Sequence, residues 1–186
     1  MYKFAAASAD ELIVFGSARP GYTDEQVRQW IEFMIDWAKP TLRERDIQRV
    51  CCLLTRNQLD RYGDLLGNYR QAFGMSQVCW APIEDFSLAT PEIMIDRILP
   101  FLATADQQQE KVVVHCSGGI GRTGHILAAW LVAGRGFDRE SAISAVQQTG
   151  RNPYEAVIAA PFKGRNPWRV AVELKTLLSS SLEAKG

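Results

Sequence analysis

Three consecutive valines, Val112-Val113-Val114, run directly into His115-Cys116-Ser117-Gly118-Gly119-Ile120-Gly121-Arg122-Thr123-Gly124. An unbroken valine row lacks the alternation of a half-solvated strand. The strand is therefore expected to be buried on both faces, as in a parallel sheet. Past it the chain must turn on a glycine-rich loop and enter a helix, because Ile126, Leu127, Trp130 and Leu131 repeat at helical spacing. A buried strand, a tight loop and a helix in this order form one half of a β–α unit, and the rest of the chain has to supply its neighbours.

The flanking patterns do so. Leu12-Ile13-Val14-Phe15 reads as an early strand ending at Gly16, with a loop over 17–21. Thr23 and Gln26 have capping-box spacing for a helix carrying Val27, Trp30, Ile31, Met34 and Ala38, ended by Pro40. Val50 to Leu54 reads as a buried strand. Asn57 to Phe73 reads as helix with breaks at Gly63 and Gly67, and Val78-Cys79-Trp80 as a short apolar segment. Thr90 suits an N-cap with Pro91 at the first helical position, and Pro100 is expected to kink or shorten that helix. Asp138 caps a further helix stopped by Gly150, and Asn166-Pro167 opens a last one. Short strands alternating with helices predict an α/β fold. The expectation is a single domain over 1–186 with a central, largely parallel sheet flanked by helices. The Cys116 loop then lies at the carboxyl end of its strand, where open α/β sheets bind ligands.

The chemistry of that loop is specific. Its glycines let several N–H groups converge on one centre, and the following helix adds its positive end, which together make an anion site. Arg122 contributes a planar fork suited to two phosphate oxygens. Cys116 stands under the same positive field, and surroundings of this kind favour the nucleophilic thiolate. Thr123 is placed to donate a hydroxyl to the sulfur. His115 is expected to orient the loop through hydrogen bonds rather than to act as a base. No other cysteine has an arginine six residues on. A strand-to-helix turn with an inert buried cysteine is the plainer alternative, and it leaves Arg122 and the glycine cluster unexplained.

His115, Cys116, Arg122 and Thr123 match, position by position, the His-Cys-x5-Arg-Ser/Thr signature of the protein tyrosine phosphatase superfamily. Gly119-Ile120-Gly121-Arg122-Thr123-Gly124 resembles the ending shared by the small atypical dual-specificity phosphatases, and the resemblance extends over residues 12 to 160. It implies the cysteine-dependent phosphatase fold, with Ser117, Gly118, Gly119, Ile120, Gly121 and Arg122 as phosphate-binding loop. It also implies a general acid on an upstream loop. The segment from Ala81 to Pro91 resembles that loop, with Asp85 at the acid position and Glu84 as competitor. Neighbouring side chains of an extended segment point to opposite sides, so one of the two faces the cradle. In the implied mechanism the Cys116 thiolate attacks phosphorus while Asp85 protonates the leaving oxygen. Water then hydrolyses the cysteinyl-phosphate with Asp85 as base, and the loop amides and Arg122 hold the oxygens. Gly150-Arg151-Asn152-Pro153 falls where related phosphatases position the hydrolytic water, so Asn152 or Arg151 is a candidate beside the plainer reading of a helix-end turn.

Lys+Arg and Asp+Glu balance at 21 each, so bulk charge predicts neither a nucleic-acid nor a membrane partner, a local basic rim aside. No apolar run approaches the roughly 18 residues of a transmembrane helix, and Met1 to Ala5 lacks a signal-peptide core. Four cysteines, two of them adjacent at Cys51-Cys52, do not form a disulfide framework, which fits a reducing cytoplasm. Cys51 and Cys52 read first as buried apolar residues, with a reversible disulfide to Cys116 as the alternative. No cofactor or metal is expected: zinc-ligand spacing is absent, and the two histidines are His115 and His125, the latter read as a packed side chain. Trp30, Trp37 and Trp130 read as core, Trp80 as a shaper of the cleft, and Arg19 as solvated or as part of the rim.

The expected partner is a phosphorylated protein carrying phosphotyrosine, with phosphoserine and phosphothreonine as further substrates. The uncharged loop interior from Ser117 to Gly121 counts against a highly anionic substrate. The alternatives are a non-protein phosphomonoester (a phosphoinositide, a sugar phosphate or an RNA 5′-phosphate) and a phospho-residue binding module without turnover. The sequence leaves the oligomeric state open, with a monomer as the expectation.

Overall fold

The valine run is the middle strand of a five-stranded sheet in the computed structural model, which describes residues 2–35 and 46–183. The strands are β1 (Ala5–Ala6), β2 (Val14–Ala18), β3 (Arg49–Cys52), β4 (Val78–Trp80) and β5 (Val112–Cys116), in the order β1-β2-β5-β3-β4. Strands β2, β5, β3 and β4 run parallel, and the short β1 pairs antiparallel with β2 at one edge. The helices are α1 (Asp24–Ile35), α2 (Arg56–Leu59), α3 (Leu65–Phe73), α4 (Pro91–Ile93), α5 (Leu99–Gln107), α6 (Gly121–Arg135), α7 (Arg139–Gln148), α8 (Glu155–Ala159) and α9 (Pro167–Glu183). The α/β class and the largely parallel sheet agree with the sequence expectation.

Strand β5 has a parallel neighbour on each side and is buried at every position, which is what an unalternating apolar run requires. Its side chains divide between two cores. Val112, Val114 and Cys116 pack with α5, α6, α7 and α9, whereas Val113 packs with α1 and α3 on the other face. Helix α6 is buried from Gly121 to Val132 because the sheet covers one side and α5, α7 and α9 the other. It ends on Gly136, whose φ of 73° is the left-handed C-terminal cap that glycine adopts without strain.

Several sequence expectations shift. The first strand does not stop at Gly16 but runs through it to Ala18. Glycine is needed there by close packing: a Cβ would fall 2.6 Å from the Arg151 guanidinium. Gly67 breaks nothing. It lies inside α3, where its N–H donates to the capping Asp64 carboxylate at 2.9 Å, and the interruption falls around Gly63. Pro100 does not end its helix. One π-helical turn over Met94–Ile98 precedes it and α5 continues to Gln107, the irregular turn absorbing the misfit of a mid-helix proline. The Thr23–Gln26 capping box, the Thr90 and Asp138 caps and the Asn166 cap are all present. Trp30 and Trp130 are buried as expected; Trp37, Ala38 and Pro40 lie outside the described residues.

Candidate active site

Cys116 ends β5, and five residues later α6 begins. Ile120, at the N-cap of α6, supplies no capping side chain, so the first amides of the helix are left for an anion. Gly119 has a φ of 68°, and a Cβ there would lie 2.6 Å from the Ser17 and Ala18 main chain. Only glycine lets the loop turn this way while resting on the end of β2. Cys116 is 3 % exposed, and its sulfur accepts a hydrogen bond from the Thr123 hydroxyl at 3.2 Å. One residue back, His115 is fully buried and shares a 3.2 Å hydrogen bond between Nε2 and the Tyr69 hydroxyl rather than with the loop, while Nδ1 has no partner among the described residues. Burial drives its pKa down to about 3, against partial opposition from the Cys116 main chain. It stays neutral at any ordinary pH.

Arg122 is buried but richly satisfied. Its Nη1 donates to the Ile83 carbonyl and to Gln58 Oε1, both at 2.9 Å, and its Nη2 donates to Ser117 Oγ at 3.0 Å. The same Nη2 pairs with Asp85 Oδ1 at 2.7 Å. Asp85, half exposed, thus reaches the cradle, while Glu84 makes no side-chain hydrogen bond or ion pair among the described residues. The segment is not extended at this point. Asp85 and Phe86 form a turn, Phe86 with a φ of 56°, and Arg122 and Gln58 hold the Asp85 carboxylate inward. Gln58 completes the set and was not anticipated. It sits on α2 as the third residue of a capping box, with Thr55 N–H donating to its Oε1 at 3.1 Å. Its Nε2 donates to Asp85 Oδ2 at 3.1 Å and to Ser117 Oγ at 3.0 Å. The capping spacing Thr55-x-x-Gln58 was the available signal, but only the fold brings α2 beside the loop.

The model of the dual specificity phosphatase catalytic domain matches residues 43–156, more than half of the chain. The chain belongs to that family. Among curated proteins, two uncharacterized proteins of Methanocaldococcus jannaschii are each 45 % identical over 51 residues, 27 % of this chain. The match spans only 31 % and 34 % of those relatives. Among solved structures, Tk-PTP in its active form is 24 % identical over 88 % of this chain and 92 % of its own, with a TM-score of 0.63. PTPMT1 in complex with PI(5)P is 14 % identical over 98 % of this chain and 99 % of its own, with a TM-score of 0.70. At such identities these structures speak for the cysteine-dependent phosphatase fold.

In this dual specificity phosphatase domain a second carboxylate lies against the cradle. A Cβ on Gly121 would fall 1.8 Å from Glu155 Oε2, so the Glu155 carboxyl covers the first residue of α6. Burial raises its pKa, as does the charge of Asp85, against Arg122 and the Gly121 amide. Sequence reasoning missed Glu155 because α8, which carries it, left no periodic signal. His125 is more than a packed side chain. Its Nε2 accepts the Ala89 N–H at 3.0 Å and its Nδ1–H donates to the Gly121 carbonyl at 3.2 Å, tying the Asp85 loop to the start of α6. Burial pushes its pKa down to about 4. Lys163 holds the loop from outside, its ammonium donating to the Asp85 carbonyl and, at 3.1 Å, to Ser87 Oγ.

The two residues considered for the hydrolytic water each make structural contacts as well. Asn152 Oδ1 accepts the Tyr154 N–H at 3.1 Å and shapes the turn into α8. Arg151, 4 % exposed, donates to the Lys3, Ala5 and Thr149 carbonyls and fastens the amino-terminal segment to the end of α7. All four cysteines are free thiols. Cys51 faces the same core as Cys116 but lies in register with Cys79 on β4, and that neighbouring thiol together with burial pushes its pKa up; Cys52 faces the opposite core, where burial pushes it up to about 12. Trp80 is half-buried and anchored by its indole N–H to the Leu54 carbonyl at 2.8 Å.

Proposed function

We propose that this domain hydrolyses phosphotyrosine, and phosphoserine or phosphothreonine, in phosphorylated proteins through a cysteinyl-phosphate intermediate. The observation carrying the reading is the convergence on one loop of Cys116, Thr123, Arg122 and Asp85. In this reading the Cys116 thiolate attacks phosphorus and the S–P bond forms as the P–O bond to the alcohol breaks. Phosphate takes the place of Asp85 on Arg122, and Asp85, freed from the ion pair and protonated, gives its proton to the departing oxygen. Water then attacks the phosphoryl group, Asp85 takes the proton back, and the thiolate leaves with the Thr123 hydroxyl donating to it. Arg122 and the amides of Ser117 to Gly121 hold the equatorial oxygens throughout, Gln58 positions the loop and Asp85, and His115 packs behind Cys116 on Tyr69. Neither cofactor nor metal enters these steps, and residues 1–186 act as one catalytic unit.

The protein substrate is supported by the absence of any cationic side chain between Cys116 and Arg122 and by Glu155 beside Gly121. Both disfavour a cluster of phosphates at the cradle. Among structural neighbours, a cysteine-to-serine variant of P. aeruginosa TpbA is in complex with pTyr, whereas PTPMT1 is in complex with PI(5)P. The deciding experiment measures phosphate release from phosphotyrosine, phosphoserine and phosphothreonine peptides, soluble and lipid phosphoinositides, and RNA 5′-phosphates, by wild type, Cys116→Ser and Asp85→Asn. The phosphotyrosine peptide is expected to lead, Cys116→Ser to be inactive, and Asp85→Asn to turn over slowly while still binding. A phosphoinositide preferred over every peptide overturns the substrate, and an active Cys116→Ser overturns the chemistry.

A further inference from the structure

Two guanidinium groups clasp one tyrosine at the rim of the cleft. The Arg19 Cζ lies 3.7 Å and the Arg61 Cζ 3.9 Å from the centre of the Tyr22 ring, which puts the two charges within about 8 Å of each other. Neither arginine has a carboxylate partner among the described residues. Asp60 pairs with Arg56, Asp64 caps α3, Glu25 pairs with Arg28, and Asp24 lies near Gly63 without pairing with either. Arg19 uses Nη1 on the Pro20 carbonyl and the Tyr62 hydroxyl. Among the described residues its Nε and Nη2 have no acceptor, and the Arg61 guanidinium makes no hydrogen bond. Like charges held this close, with donors unspent, are short of a counterion.

The pair is also tethered to the cradle. Ala18 is in register with Cys116, and the Arg19 N–H donates to the Ser117 carbonyl at 3.3 Å. Arg61 follows Gln58 by three residues, and Gln58 itself contacts Ser117, Arg122 and Asp85. The Tyr62 hydroxyl locks the two arms together by accepting from Arg19 and donating to Pro20. The Tyr22 ring faces hold both cations in place before any ligand arrives, which lowers the ordering cost of binding.

We propose that Arg19, Tyr22 and Arg61 form an accessory anion subsite that takes a second acidic group, a carboxylate or a phosphate, from the phosphopeptide whose phosphotyrosine enters the cradle. This rests on the phosphopeptide reading above. In an extended peptide, residues two positions apart lie on the same side about 7 Å from each other. An acidic residue at that spacing from the phosphotyrosine falls within reach of an arginine anchored beside Ser117. The subsite thus reads the sequence around the phosphate, while the uncharged cradle reads the phosphate itself.

The test compares a small aryl phosphate, a phosphotyrosine peptide with neutral flanks, and the same peptide with glutamate or a second phosphate two residues away. Wild type is expected to favour the acidic peptide by about tenfold in kcat/KM, with the gap closing as salt is added. Arg61→Gln should shrink the preference to about threefold or less and Arg61→Glu should abolish it, both leaving aryl phosphate hydrolysis unchanged. An unaltered preference in these variants, or none in wild type, overturns the subsite. Loss of aryl phosphate hydrolysis in Arg61→Gln overturns its separateness from the cradle. Tighter competition by a soluble inositol bisphosphate than by the acidic peptide overturns the peptide assignment. Binding to Cys116→Ser by calorimetry separates the two readings. If wild type turns over nothing, the phosphatase reading fails, and the subsite then stands or falls on whether adding Arg61→Glu erases tighter binding of the acidic peptide.

Discussion

Replacing Gln58 by leucine removes one side chain that contacts the acid, the arginine and the loop at once. Leucine keeps most of the volume, so the change is in hydrogen bonding. Arg122 loses one acceptor but keeps the Ile83 carbonyl, Ser117 and Asp85. Asp85 loses one of two donors and keeps the ion pair, while remaining 48 % exposed. Hydrogen bonds to charged groups contribute about 1.5–3 kcal/mol. With the surviving partners and solvent taking up part of the loss, the low end applies, and about 1.5 kcal/mol corresponds to roughly tenfold in rate. The leaving group tells which contact matters. If Gln58 acts through Asp85, the loss is small for a nitrophenyl phosphate, whose oxygen departs without a proton, and reaches tenfold or more for phosphotyrosine. If it acts through Arg122, the loss is equal for both. In an Asp85→Asn background the first effect disappears and the second persists. Thermal unfolding should show only about 1 kcal/mol of destabilisation, the worth of the lost capping box. A Gln58→Leu enzyme within twofold of wild type on both substrates would refute the idea that Gln58 positions the acid or the arginine.

Stability should fall with acid along a predictable slope. His115 and His125 have pKa values of about 3 and 4 when folded, against about 6.5 when unfolded. The unfolded chain therefore binds the extra protons first, and below pH 6.5 each histidine removes up to about 1.4 kcal/mol per pH unit. Urea titrations between pH 7 and 4.5 check this, and His125→Gln should flatten part of the slope. Gly16→Ala places a Cβ 2.6 Å from the Arg151 guanidinium. The displaced arginine should cost about 2–3 kcal/mol, read as a lowered Tm with β1 the first segment to lose amide protection. Glu155→Gln removes a negative charge beside Gly121 and should tighten inhibition by inorganic phosphate about three- to tenfold. Unchanged inhibition would place that carboxylate outside the field of the cradle.

The parts legible in the sequence are those written in contiguous residues. The valine run gave β5, the loop from Ser117 to Gly121 and Arg122 followed in line, and capping residues such as Thr23, Thr90 and Asp138 announced their helices. Asp85 was readable because its surrounding loop resembles a known pattern. Gln58, Glu155 and Lys163 were not, because each reaches the site from an element distant in sequence and carries a side chain ordinary on any surface. Gly16 misled for a related reason. Read along the chain it ends a strand, and only the approach of Arg151, 135 positions later, shows why a strand needs glycine there. His125 read as a packed side chain because it falls on the helix just past the loop; its two hydrogen bonds, one to the Asp85 loop and one to the start of α6, exist only in three dimensions.

The loop bearing Asp85 is fastened along its length. Arg122 and Gln58 hold the carboxylate, Lys163 the Asp85 carbonyl and Ser87, and His125 the amide of Ala89. A site that assembles around its substrate can make closure itself the test of fit, admitting chemistry only when the right partner drives the motion. A loop fastened in advance leaves that checkpoint to one exchange: in the proposed reaction the incoming phosphate takes the place of Asp85 on Arg122, which frees the carboxyl to act. Selection then rests on that exchange and on whatever surface governs arrival, rather than on a loop that closes.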